Sequence, residues 1–168
     1  MDITIQSLTS LEQVAIWKQA FKEQGIHRED EYYERCLEEN KSGVRVTLFA
    51  LIGGRVAGCT HLKYHSDYPS FAEQGIPEIN DLNVFPAYRR RGIANRLIEA
   101  CEQTAGKTHR TIGIGVGLYR SYTAAQRIYC RRGFIPDGNG LMYNNEPVPP
   151  GTMVRVDDDL NLYFTKEI

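Results

Sequence analysis

Residues 44–65 read VRVTLFALI, then GG, then RVAGCTHLKYH. The flanking runs are rich in Val, Leu, Phe and Thr, and Gly53-Gly54 supplies the positive φ angles that a tight two-residue turn demands. The chain is thereby committed to an antiparallel β-hairpin, and the remaining elements have to extend or cover that ribbon.

The segments around it can be read from local patterns. ITIQSL alternates as a strand, and Ser10 with Gln13 forms a capping-box pair ahead of Leu11, Val14, Ala15, Lys18 and Phe21 at helical spacing, with Gly25 as the stop. A more polar helix around Glu29 to Asn40 carries Tyr32, Tyr33, Cys36, Leu37 and Asn40 on one side and closes at KSG. After a loop rich in Ser, Pro and Gly, PEINDLNVF reads as a strand. A short turn with three arginines then opens an amphipathic helix from about Gly92 to Ala105, with Gly106 after it. RTIGIGVGL is a strand, YTAAQRIYCRR a helix with Gly133 at its C-terminal cap, and DDDLNLYFTKEI a last strand. Strands joined alternately by hairpins and helices imply an α/β fold with a mixed, mostly antiparallel central sheet flanked by helices. With 168 residues, 42% of them apolar, and no repeat or flexible linker, residues 1–168 are expected to form a single domain.

Several functions are disfavoured. Twenty Lys+Arg against 21 Asp+Glu leave a formal net charge of −1, with no global field to draw in a nucleic acid. The start MDITIQSLTS lacks the basic and apolar regions of a signal peptide, and no apolar run approaches a membrane span, so a soluble, cytoplasmic protein is expected. Cys36, Cys59, Cys101 and Cys130 are widely spaced and read as buried free thiols, and His61 and His65 fall on or just after a strand, so no metal site is expected. There is no Gly-Lys-Ser/Thr, and GIGVGL puts Leu118 where a dinucleotide fingerprint needs its third glycine, which disfavours an NTPase or a dehydrogenase. Gly113, Gly115 and Gly117 either let a ligand pass close to their strand or relieve crowding. Asp157 to Asp159 read as a charged loop.

The turn before the third helical run carries the chemistry. A strand leading through a short turn into a helix leaves backbone N–H groups at the helix start, aligned with the positive end of its dipole, and so forms an anion site. Gly92 lets the backbone approach a diphosphate, small Ala94 does the same one step on, and Arg89, Arg90 and Arg91 add charge. Ile93, Leu97, Ile98, Cys101 and Ala105 turn inward and anchor the helix.

The run Arg89, Arg90, Arg91, Gly92, Ile93, Ala94 after DLNVFPAY resembles the coenzyme A pyrophosphate loop of the GCN5-related N-acetyltransferases (GNAT), whose pattern is Arg or Gln, two residues, Gly, one residue, Gly or Ala. The order of elements is also similar to that family's. AAQRIYCRRGF resembles its second signature, an Ala, a Tyr four residues on, then Gly-Phe. The resemblance covers nearly the whole chain and implies a GNAT (acyl-CoA N-acyltransferase) fold. It implies acetyl-CoA as co-substrate, held by Leu82, Asn83, Val84, Arg89 to Asn95 (Arg89, Arg90, Arg91, Gly92, Ile93, Ala94, Asn95) and Ala125.

It also implies catalytic roles. An acceptor amine with a pKa of about 10.4 must lose a proton before it attacks. Glu78, six residues before Val84, stands where family members that use a strand carboxylate carry it. In a regular strand Glu78, Asn80, Leu82 and Val84 share one face and Ile79, Asp81 and Asn83 the other, and a bulge would exchange them, which keeps Asp81 as the alternative base. A backbone N–H among Leu82 to Val84 would polarise the thioester carbonyl, and Tyr129 would donate to the departing thiolate. Tyr122 stands where the family often has Asn, seven residues before this Tyr.

The acceptor side is expected to involve the first two helices and the loop HSDYPSFAEQGIP. There Glu29, Asp30, Glu31, Asp67 and Glu73 would attract a cationic amine. The resemblance leaves a homodimer open. The rival to an enzyme is a non-catalytic acyl-CoA-binding protein.

Overall fold

A computed structural model of the protein describes residues 2–168. In chain order its elements are β1 (Thr4–Ser7), α1 (Leu11–Glu23), α2 (Asp30–Ser42), β2 (Arg45–Ile52), β3 (Arg55–Lys63), α3 (Pro69–Gln74), β4 (Glu78–Val84), α4 (Ile93–Ala105), β5 (Thr111–Gly117), α5 (Thr123–Arg131), β6 (Ile135–Tyr143), β7 (Glu146–Pro147) and β8 (Leu160–Glu167). They fall into two compact units. The first runs to Tyr64 and includes Ile79–Thr104; the second comprises His65–Glu78 and Ala105–Ile168.

In the first unit the strand order is β1-β2-β3-β4. The Gly53-Gly54 hairpin forms as expected, with φ of 56° and 77° and Ile52 opposite Arg55. β1 runs antiparallel to β2, Thr4 facing Leu51. The Ser10–Gln13 capping box is present in full. α1 and α2 cover a core of Trp17, Phe21, Tyr33, Phe49 and Phe85, whose rings meet edge to face, Trp17 and Tyr33 at 4.8 Å between centroids. One expectation is corrected: α1 turns Val14, Trp17 and Phe21 inward, Ala15 is exposed and Leu11 is 70% exposed. At 3.6 residues per turn Leu11 lies about 90° from the centre of that stripe. α4 buries Ile93, Leu97, Ile98, Cys101 and Ala105, the face its periodicity predicts.

In the second unit the order is β5-β8-β6-β7. β5 and β8 are antiparallel from Thr111–Glu167 to Gly117–Asn161. The β6–β7 hairpin is absent from the sequence reading. Its turn is Asn144-Asn145, with φ of 50° and 63°, and β6 is disguised by Pro136 and two glycines where its register on β8 jumps between Pro136 and Leu141. Pro69 likewise hides α3, because it sits in the first turn of that helix, where proline fits. The glycines of β5 relieve crowding: a Cβ at Gly113, Gly115 or Gly117 would come within 2.2, 2.7 or 2.3 Å of the rings of Phe71, Tyr163 and Tyr122.

α5 ends in a Schellman cap, with Phe134 N–H donating to the Tyr129 carbonyl and Gly133 N–H to that of Cys130. The spacing from Tyr129 to Gly133-Phe134 is therefore a cap geometry, completed by contact of the two rings at 6.2 Å. Because α5 turns Tyr129 inward, the next residue points out. Cys130 is exposed, a correction to the expectation of four buried thiols, whereas Cys36, Cys59 and Cys101 are buried.

Candidate functional site

β4, a 3-10 turn over Pro86–Tyr88 and α4 place one group of predicted residues together in the first unit. Midway along β4, Asp81 has φ of +50°, a left-handed residue inside a strand. This irregularity breaks the two-residue alternation. Glu78 and Ile79 are both buried, and Asn80 through Val84 are all half-buried rather than sorted by face. β4 is tied to β3 by Phe85 N–H on the Ala57 carbonyl (2.9 Å) and by the Thr60 hydroxyl on that of Asn80 (3.1 Å).

Gly58 of β3, missed in the sequence, makes this contact possible, since a Cβ there would lie 2.5 Å from the Asn83 carbonyl oxygen. An isolated glycine inside a strand pattern was the available signal.

Donors converge on Asp81. The Tyr32 hydroxyl donates to its Oδ2 at 3.1 Å, Asn83 Nδ2 to its Oδ1 at 2.8 Å, and Arg28 lies 3.6 Å from Oδ2. The carboxyl is 25% exposed. Behind Tyr32, its hydroxyl is 2.8 Å from His61 Nε2, and His61 Nδ1 is 2.8 Å from the Thr47 hydroxyl, so both imidazole nitrogens are taken. Burial holds His61 neutral, well below the usual histidine range, and burial followed by the charge of Asp81 pushes the Tyr32 phenol up. Nothing in the spacing of Asn40, Thr47, His61 and Asp81 announces this cluster, which folding assembles from α2, β2, β3 and β4.

Past β4 the three arginines take different positions. Arg89 donates from Nε to the Val84 carbonyl (3.2 Å), Arg91 lies 5.8 Å from the Tyr88 ring centroid, and Arg90 is exposed with φ of +61°. The first backbone bond into α4 runs from Arg96 N–H to the Gly92 carbonyl (3.1 Å), so the amides of Ile93, Ala94 and Asn95 have no acceptor within the helix. Gly92 has φ of +82° and open space where a Cβ would stand. Asn95 is exposed and Ala94 half-buried.

Glu78, Ala125 and Tyr129 belong to the second unit. Glu78 is 5% exposed, and its Oε2 accepts from the Ser66 hydroxyl at 2.5 Å, while Ser66 Oγ accepts from Tyr68 N–H at 3.0 Å. Tyr68 stacks face to face on Tyr163 at 3.8 Å. Tyr129 is buried, and burial pushes its phenol up. Ala125 sits one helical turn before it, half-buried. Tyr122 donates to Asp158 Oδ1 at 2.7 Å, and Tyr119 shares that carboxylate, so the acidic loop is tied to aromatic hydroxyls. Among the described residues no group of His, Cys, Asp or Glu side chains is arranged to hold a metal ion, and no helix is long and apolar enough to cross a membrane.

The sequence profile described as the acetyltransferase (GNAT) family matches residues 11–134. Solved structures agree in fold across nearly the whole chain. An N-acetyltransferase from Staphylococcus aureus Mu50 superposes with a TM-score of 0.71 at 16% identity over 99% of each chain. NAA60 of Arabidopsis thaliana in complex with acetyl-CoA gives 0.70 at 18% identity, again over 99% of each. AAC(6′)-Iy bound to the bisubstrate analogue CoA-S-monomethyl-acetylneamine gives 0.67 at 17% identity, over 85% of this chain and 97% of that one. No curated protein sequence matches significantly.

The chain thus belongs to the GNAT acetyltransferase family and is an acetyl-CoA-dependent N-acetyltransferase with a mixed α/β fold. The residues present fit the co-substrate. Gly92 leaves room where a side chain would intrude, the α4 start offers amides without helical acceptors, and Arg89 to Arg91 put positive charge just before it.

Proposed function

We propose that this chain moves the acetyl group of acetyl-CoA directly to the primary amine of a cationic acceptor, both substrates being bound together in one acetyltransferase domain. The observation that carries the reading is strand β4, left-handed at Asp81, leading through the Pro86–Tyr88 turn to Arg89–Ala94 and the start of α4. The profile match draws on both compact units, which supports treating residues 1–168 as one domain.

In this reading the turn residues Arg89, Arg90, Arg91, Gly92, Ile93, Ala94 and Asn95 hold the pyrophosphate, and Ala125 leaves room for the rest of the cofactor. Backbone N–H groups among Leu82, Asn83 and Val84 donate to the acetyl carbonyl oxygen as charge develops there. Acetyl-CoA itself supplies an acyl group activated as a thioester.

Asp81 takes the ammonium proton. It is partly exposed and therefore reachable, and it is held by donors on both oxygens. Glu78 is the second reading for the base, favoured by its burial beside Ser66. Tyr129 meets the leaving thiolate. Its raised pKa makes full proton transfer to a thiolate of pKa about 8.5 uphill, so it acts by donating a hydrogen bond.

The α1–α2 turn mixes its acids with Lys18 and Arg28, Asp30 pairing with Lys18 at 2.8 Å. Exposed Glu29 and Glu31 there, and exposed Asp67 and Glu73 in the second unit, favour a positively charged acceptor.

Thiol release from acetyl-CoA with spermidine, kanamycin or a lysine-containing peptide tests the reading. It predicts acetylated amine by mass spectrometry and intersecting initial-velocity lines. Asp81→Asn should lower kcat by about 100-fold or more, with Glu78→Gln milder. Parallel lines would remove the ternary complex, and a silent Asp81→Asn with an inactive Glu78→Gln would transfer the base to Glu78.

A further inference from the structure

The cluster behind Asp81 has a direction, set by backbone groups at one end and by the acceptor-only carboxylate at the other. Asn40 Oδ1 accepts from the Thr47 N–H at 2.7 Å, and Asn40 Nδ2 donates to the Cys36 carbonyl at 2.7 Å. A backbone N–H can only donate and a carbonyl can only accept, so the Asn40 amide has one orientation. Its second amide hydrogen goes to Thr47 Oγ1 at 2.8 Å. At the other end the Asp81 carboxylate can only accept, so the Tyr32 O–H is committed to it and the Thr47 hydroxyl is the donor left for His61 Nδ1. A neutral imidazole that accepts at Nδ1 carries its proton on Nε2, which therefore donates to the Tyr32 oxygen, leaving the Tyr32 O–H for Asp81. Thr47 and His61 are almost wholly buried, and burial keeps His61 neutral. Arg28, Cys36 and Cys59 are the other titratable groups acting on Tyr32 or Asp81.

We propose that Tyr32 is a positioning residue, the last member of a one-way hydrogen-bond chain, Asn40 to Thr47 to His61 to Tyr32, that fixes the Asp81 carboxylate for proton uptake from the acceptor amine. The proposal deepens the reading above and rests on Asp81 being the base. The chain always presents a donor to Asp81 Oδ2. That oxygen stays engaged and the carboxylate keeps one rotamer, with its remaining lone pairs turned to the amine. Tyr32 lies on the polar α2, where a tyrosine half-exposed on a helix gave no hint of such a role.

The direction can be read without turnover. In the 15N NMR spectrum of the histidine rings, His61 should show a protonated Nε2 and a bare Nδ1, assigned by its loss in His61→Gln; the opposite tautomer would overturn the chain. Function is read with acetyl-CoA and whichever acceptor of the panel above turns over fastest. Tyr32→Phe should lower kcat about 10- to 100-fold while the dissociation constant for acetyl-CoA stays within about twofold. Thr47→Val, which removes a more distant link, should act in the same direction. On an Asp81→Asn background Tyr32→Phe should have no further effect, because there is no carboxylate left to position. Wild-type kcat in Tyr32→Phe, or an undiminished loss on the Asp81→Asn background, would overturn the proposal. A silent Asp81→Asn removes the base assignment itself, whatever Tyr32→Phe does, so the two failures are distinguishable.

Discussion

Gly92 is the residue on which the proposed pyrophosphate site leans most. Its backbone is left-handed and faces open space, so Gly92→Asp meets no protein atom but adds a negative charge and a strained φ where phosphate would approach. The expected outcome is a folded protein, destabilised by about 1–2 kcal/mol, whose affinity for acetyl-CoA by calorimetry falls at least about 100-fold. Unchanged affinity would sink the loop assignment. His61 makes a second prediction at this scale. Its folded pKa lies below the unfolded value of about 6.5, so the unfolded chain binds the extra proton and stability falls as pH drops below that point. Between pH 7 and pH 5 the stability advantage of the wild type over His61→Gln should shrink by about 2 kcal/mol in denaturant titrations. A constant gap would mean that His61 titrates normally in the fold.

Among the elements, the β3–β4 contact sets the end of the candidate site. A Cβ at Gly58 would press on the Asn83 carbonyl at 2.5 Å, which is main chain and cannot swing aside. Gly58→Ala should therefore cost about 1–3 kcal/mol and raise KM for acetyl-CoA, as thermal melts and kinetics would report. Full stability with unchanged KM would show that β4 yields freely. Legibility differs between elements for physical reasons. The Gly53-Gly54 hairpin, the Ser10–Gln13 capping box and the α4 stripe announce themselves because each is set by residues within a few positions of one another. β6 does not, since Pro136, Gly138 and Gly140 interrupt its period where the ladder shifts, and the Asn144-Asn145 turn after it carries no glycine. The face of α4 was legible, whereas that of α1 is rotated from the expected one, with Leu11 and Ala15 exposed and Trp17 buried.

At the scale of the whole molecule, the Arg89–Ala94 turn could be read as an anion site because a strand end, a glycine and a helix start are contiguous in sequence. The chain from Asn40 to Asp81 could not, because its members lie on four elements and meet only after folding; neither could the left-handed backbone at Asp81, which no side chain spells out. The most direct test of the account is the melting temperature with and without saturating acetyl-CoA, with ATP and NAD as controls. Ligand at about 100 times its dissociation constant adds about 2.7 kcal/mol, a rise of about 5–10 °C for a chain of this size. The account predicts that rise with acetyl-CoA alone; no shift, or an equal shift with ATP, would contradict it.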